Sequence, residues 1–137
     1  MGLRELFGFK KWEPDLDRSP PPKEDWPDHV LTLNANGFDK FINKYPLSVV
    51  DFWAPWCAPC HTIAPHIRQL SKMFKGRVAF GKINISKNKG LAMRYHIHGI
   101  PNLVFFSYGE KVTNITGVNS IGVIKNKIDN ILGRFNQ

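Results

Sequence analysis

The stretch that most constrains this chain is a short apolar run followed at once by a pair of thiols. Leu47-Ser48-Val49-Val50-Asp51-Phe52-Trp53 leads into Trp56-Cys57-Ala58-Pro59-Cys60. The first segment is β-branched and almost continuously apolar, the pattern of a strand buried on both faces. Downstream, Ile63, Ile67, Leu70 and Phe74 recur at helical spacing, with Pro65 inside the pattern as an expected kink. The two cysteines, the only ones present, therefore fall at a predicted strand-to-helix junction. Thiols two residues apart can close a small disulfide ring, and at such a junction the pair reads as redox-active. A helix N-terminus favours negative charge, so a cysteine there loses its proton more readily, and the thiolate is the nucleophile of disulfide exchange.

The rest of the chain alternates strand and helix signals. Residues 30–33 read as a short strand, and Phe38, Phe41, Ile42 and Tyr45 as a helix face. Residues 77–85 form the next strand and residues 87–96 a short helix. Residues 102–107 and 111–115 form a hairpin around Tyr108-Gly109. Ile121, Ile124, Ile128 and Ile131 mark a last amphipathic helix. The implied fold class is α/β, a mixed sheet covered by helices on both faces. Residues 1–27 stand apart as an N-terminal extension, with the domain running over 28–137. Residues 19–27 are proline-rich and charged, hence expected to be extended and either flexible or docked on the domain. Leu3, Leu6, Phe7, Phe9 and Trp12 could line a short amphipathic helix for a membrane surface or partner. The preferred alternative is a tail whose aromatics dock on its own domain.

Charge is uneven. Residues 1–27 hold five Lys/Arg and six Asp/Glu, whereas 28–137 hold fourteen and five, a net of +9. A basic domain can be steered toward acidic partners, nucleic acid or anionic membrane, but the cations form no dense run. No nucleic-acid module signature accompanies them, so the expected surface is a solvated one without specific nucleic-acid binding. No stretch approaches the ~20 apolar residues of a membrane span. Without a recognisable secretory signal the expected compartment is reducing and cytoplasmic. A closed zinc site needs four ligands. Two cysteines with His61 or His66 leave the set incomplete, and no metal is expected.

With these motifs in hand, residues 28–135 resemble thioredoxin. Residues 50–60, Ile63-Ala64-Pro65, Lys82-Ile83-Asn84-Ile85, Gly99-Ile100-Pro101 and Gly109-Glu110 fall in that family's order and spacing. The resemblance implies a four- to five-stranded mixed sheet with flanking helices, and disulfide reduction as the parent activity. It places Asp51 beneath the cysteines facing Lys82. There burial raises the carboxyl pKa and the ammonium opposes the rise. Asp51 can then accept the proton of Cys60, or can simply form a structural pair with Lys82. It also implies a cis Ile100–Pro101 bond beside the disulfide, where the backbone of residue 100 can pair with an extended substrate. Gly117 and Val118 match a segment near the site, and Tyr95 and Ile97 are expected close by. The chain departs from the family pattern with Ala58 for Gly, His61 for Lys or Arg, and Asn102 for Thr after the proline. The last is a candidate influence on substrate choice.

The residue roles that follow are expectations. Cys57, exposed and acidic, is the nucleophile. Cys60, more buried, resolves the mixed disulfide, and Cys57–Cys60 is the redox-active disulfide. Pro59 stiffens the ring and tunes its redox poise. Trp56, covering the disulfide, joins Ile100, Pro101, Gly117 and Val118 as the substrate surface, and Trp53 is read as core. The expected function is a monomeric thiol–disulfide oxidoreductase that reduces protein disulfides with no bound cofactor, recharged by a thioredoxin-reductase-type donor. A disulfide oxidase or isomerase, and a redox-regulated binding module addressed by the extension, are the alternatives.

Overall fold

The computed structural model describes residues 11–136. Its sheet contains β1 (Leu31–Leu33), β2 (Ser48–Trp53), β3 (Ala79–Asn84), β4 (Asn102–Ser107) and β5 (Glu110–Thr116). The spatial order is β1-β3-β2-β4-β5. Strands β1 and β2 run parallel to β3, while β2–β4 and β4–β5 are antiparallel. The central strand β2 is thus bonded on both edges, which is why its sequence is apolar almost throughout. Helices α1 (Ala35–Lys44), α2 (Ala58–Met73), α3 (Lys89–Arg94) and α4 (Ile121–Gly133) supply the covering layers.

The period-two alternation of the strands divides the core in two. Val49, Leu103 and Phe105 face one cluster with Ile63, Ile67 and Leu70 of α2 and Ile124, Ile128 and Ile131 of α4. Val50, Phe52, Val104 and Phe106 face the other, with Phe38, Phe41 and Ile42 of α1 and Leu91 of α3. Local chemistry sets the helix ends. Asn34 caps α1 by accepting from Gly37 N at 3.0 Å, and Ser120 caps α4 by accepting from Val123 N at 3.2 Å. Helix α2 runs unbroken through Pro65, whose missing N–H forgoes only the bond to the His61 carbonyl. The hairpin turns at Tyr108 (φ 45°) and Gly109 (φ 88°). Positive φ at both central positions matches the right-handed twist of the strands it joins.

The extension is tied down as far as it is described. Trp12 is buried in the α2/α4 core against Phe135, with ring centroids 5.7 Å apart. Trp26 is buried in the α1/α3 core against Tyr45 at 4.8 Å. Between these anchors the Arg18 guanidinium lies 4.1 Å over the Tyr108 ring and donates to the Asn43 carbonyl at 3.2 Å. The segment crosses the end of the sheet where β2 begins and β4 finishes, opposite the cysteines. Proline-rich chain is expected to be fully extended, but one 3₁₀ turn, Lys23–Asp25, interrupts it. Pro22 starts the turn by accepting from Asp25 N at 2.9 Å. Of the residues read as an amphipathic helix, Leu3 to Phe9 lie outside the described residues, and Trp12 serves as an anchor on the domain.

Candidate active site

Strand β2 ends at Trp53 and α2 begins at Ala58, so the motif occupies the turn between a buried strand and a sixteen-residue helix. Cys57 is the residue that caps this helix. Its Sγ accepts from Cys60 N at 3.2 Å, and Pro59 sits in the first turn, where its missing N–H costs no helical bond. A sulfur in this position gains most when charged, because an N–H dipole and the helix end both point at it. Cys57 and Cys60 are joined as a disulfide with Cα atoms 5.3 Å apart.

Cys57 was expected to be exposed, but it is only 5% exposed, against 2% for Cys60. The cover comes from Ala54, Trp53, Ile85 and Ile100 packed about the sulfurs, and the Ile100 carbonyl lies 3.9 Å from Cys57 Sγ. Trp56 does not cover the disulfide as expected. It is 72% exposed, held outward by donation from its indole N–H to Ser86 Oγ at 3.2 Å. Trp53 is the tryptophan that touches the cysteines.

The Ile100–Pro101 peptide is cis. Gly117 N donates to the Pro101 carbonyl at 2.8 Å, which brings Gly117 and the exposed Val118 beside that loop. Gly117 adopts φ 88°, a conformation that favours glycine. Asn102 is buried and accepts from Asn114 Nδ2 at 3.3 Å across the β4–β5 pair. Its side chain is therefore spent inside the sheet and is not part of the docking face. Tyr95 likewise lies away from the site, in an aromatic group with Phe38, Phe52 and Phe106. Ile97 packs against the same core. His61 is exposed at the start of α2, with Nε2 2.8 Å from the Pro55 carbonyl.

Asp51 lies in the middle of β2, in register with Lys82 on β3. It is 6% exposed, and its Oδ1 is buried with no protein partner. Burial pushes its pKa from 3.8 up to about 7, partly opposed by the Lys82 charge. The two residues are not in contact as an ion pair. The three ion pairs among the described residues are His29–Asp28, Arg94–Asp39 and Lys125–Asp129. The Lys82 ammonium instead lies 5.4 Å from the centroid of the Trp53 ring. Asp51 and Lys82 line a cavity of about 170 Å³ beside Ala64 and Ile67 of α2. Ala64 is one helical turn beyond Cys60, and a cavity of this size with Asp51, Ser71 and Lys82 in its wall can admit water. Ala54, Ile85 and Ser86, which pack about or orient the motif residues, are not read as site residues from the sequence. Ile85 stands there only within the Lys82–Ile85 motif, and nothing local marks Ser86 as the partner of Trp56.

A capped helix carrying a disulfide, with a cis-proline loop against it and a buried carboxyl below, sits at one end of a mixed five-stranded sheet, the arrangement of the thioredoxin fold. The thioredoxin family model matches residues 29–130, and the chain belongs to that family. It is 36% identical over 104 residues to the chloroplastic M-type thioredoxin of Spinacia oleracea, covering 75% of this chain and 58% of that protein. Against the chloroplastic M-type thioredoxin of Pisum sativum it is 33% identical over 102 residues, covering 73% and 59%. The match therefore spans about three-fifths of the length of these relatives. A mutant thioredoxin from Halobacterium salinarum superposes with a TM-score of 0.74 at 29% identity, covering 78% of this chain and 94% of that one.

Proposed function

We propose that this chain is a thiol–disulfide oxidoreductase that reduces protein disulfides through Cys57 and Cys60. The observation that carries the reading is the capping sulfur of Cys57, which accepts a backbone N–H at 3.2 Å beneath the Ile100 carbonyl. In the reduced protein the Cys57 thiolate attacks one sulfur of a substrate disulfide. A Cys57–substrate bond forms and one substrate thiolate leaves. The Cys60 thiol then passes its proton toward Asp51, by way of water in the cavity, and attacks Cys57 Sγ. The second substrate thiolate leaves and Cys57–Cys60 closes. Two electrons have passed to the substrate, and an external dithiol donor of the thioredoxin-reductase type restores them. Trp56, Ile100, Pro101, Gly117 and Val118 form the surface on which the substrate docks, with its backbone beside residue 100.

No helix among the described residues is long and apolar enough to cross a membrane. A reducing compartment suits the reductase direction. The cytoplasm meets that need, and two plant relatives are named chloroplastic. The test is the potential of the Cys57–Cys60 pair, equilibrated against glutathione or dithiothreitol buffers. A value near about −270 mV supports an electron donor, and one between about −180 and −120 mV means the pair makes or reshuffles disulfides.

A further inference from the structure

Between Asp51 and Glu110 lie 58 residues without one Asp or Glu. The same stretch contains eight Lys or Arg and four His, together with both cysteines and Pro101. The carboxylates that the fold does carry are all occupied or remote. Asp28, Asp39 and Asp129 are in ion pairs, Asp51 is buried, and Glu110 starts the strand after the hairpin turn at the opposite end. Those of residues 13–25 belong to the segment docked at that same opposite end. Of the eight Lys or Arg in the stretch, Lys72, Lys75 and Arg77 lie at or beyond the far end of α2, and Arg94 is paired with Asp39. Lys87 and Lys89, at the start of α3, remain at the disulfide end, and among the described residues no free carboxylate balances them.

A groove runs along α3 at that end. It consists of two adjoining cavities, of about 590 and 400 Å³, that share Ala92 and Met93. The first reaches Trp56, Ser86 and Lys89, and the second reaches His96 and His98. Its inner end is the Trp56 ring, fixed by Ser86 next to Cys57, and its outer end lies two residues before Ile100. Met93 stands 75% exposed along its wall. Two large apolar side chains in solvent beside a reactive pair mark a contact surface, and methionine adapts to varied partners.

We propose that this groove docks an acidic segment of the protein substrate, adjacent in sequence to the disulfide under reduction. The proposal rests on the reductase reading and narrows it to a substrate class. Trp56 and Met93 supply apolar contact, while Lys89 in the groove and Lys87 just before α3 attract the segment's carboxylates. The absence of free carboxylates removes the like-charge repulsion that would reject such a partner. A polypeptide suits the groove better than nucleic acid, because the groove leads to the sulfurs and only a polypeptide delivers a disulfide there.

The experiment mixes pre-reduced protein with two matched disulfide-cyclised peptides, one flanked by four Glu and the other by four Gln, in single turnover. The Glu peptide should react about tenfold faster at ~20 mM salt, with the gap closing at ~0.5 M. Lys89→Glu should bring the ratio to one or below. Lys127→Glu on α4, the same charge change on the other face of the sheet, should leave it intact. Equal rates for the two peptides in the parent protein, or equal loss in both variants, would overturn the proposal. If neither peptide is reduced, the reductase reading fails. The groove is then judged by binding of a disulfide-free Glu peptide to the Cys57→Ser/Cys60→Ser protein. Binding lost in Lys89→Glu supports the groove. No binding, or tighter binding of a single-stranded oligonucleotide of equal charge, overturns it.

Discussion

Replacing Asp51 by Asn should make the folded protein more stable at neutral pH and leave it little changed in acid. The carboxyl is buried in the middle of β2, with Oδ1 lacking a protein partner, and its pKa is raised from 3.8 to about 7. A raised carboxyl pKa means that the folded state holds its proton over a range in which the unfolded chain has released it. Stability is then undiminished below about pH 3.8 and falls as pH rises toward 7. At about 1.4 kcal/mol per pKa unit, the penalty is about 2 kcal/mol at pH 5 and about 4 kcal/mol at pH 7 and above. The amide of Asn carries no such dependence. It adds its own fixed desolvation cost, so the informative quantity is the change with pH and not the offset. Guanidinium unfolding of the oxidised parent and variant at intervals from pH 4 to pH 8 measures it. The stability difference should move in favour of the variant by about 4 kcal/mol across that range. A difference flat to within about 1 kcal/mol would refute the argument, because it would mean that Asp51 titrates alike in both states.

The same Asn variant, if Asp51 takes the Cys60 proton, should slow release of a Cys57-linked substrate at pH 7 by about tenfold in stopped-flow. This is below the usual general-base contribution because water competes for the proton. Cys60→Ser should accumulate mixed disulfides with substrate proteins on non-reducing gels and Cys57→Ser should not. Equal trapping by both would reverse or void the assignment of nucleophile. Trp12→Ala and Trp26→Ala should each cost about 3 kcal/mol by emptying a buried aromatic site. This corresponds to a fall of about 10 °C in the melting temperature by calorimetry. A loss under about 1 kcal/mol would mean that the extension is not clamped.

The elements that announce themselves in the sequence are those whose partners are close along the chain. The apolar run of β2, the helical spacing from Ile63 to Phe74 and the turn at Tyr108-Gly109 each need only a few residues to be read. The cysteine pair and the odd carboxylate at Asp51 stand out for the same reason. Side-chain direction does not. Trp56 turns outward because Ser86, thirty residues away, accepts its N–H, and Cys57 is covered by an isoleucine 43 residues downstream. Asn102, a candidate for substrate choice by its position after Pro101, is held in the sheet because Asn114, two residues along β5 from its register partner Thr116, donates to it. The docking of the extension was open for the same cause, since Trp12 finds its cover in Phe135 at the far end of the chain.

That last contact has a practical side. Trp12 meets Phe135, so the described chain enters and leaves at neighbouring points, both at the pole away from Cys57. Whatever is joined at Lys11 or Asn136, be it a bead, a dye or a second folded unit, stands behind the sheet. A layer of such molecules fixed by either end would present its disulfides outward in one orientation, as bristles present their tips.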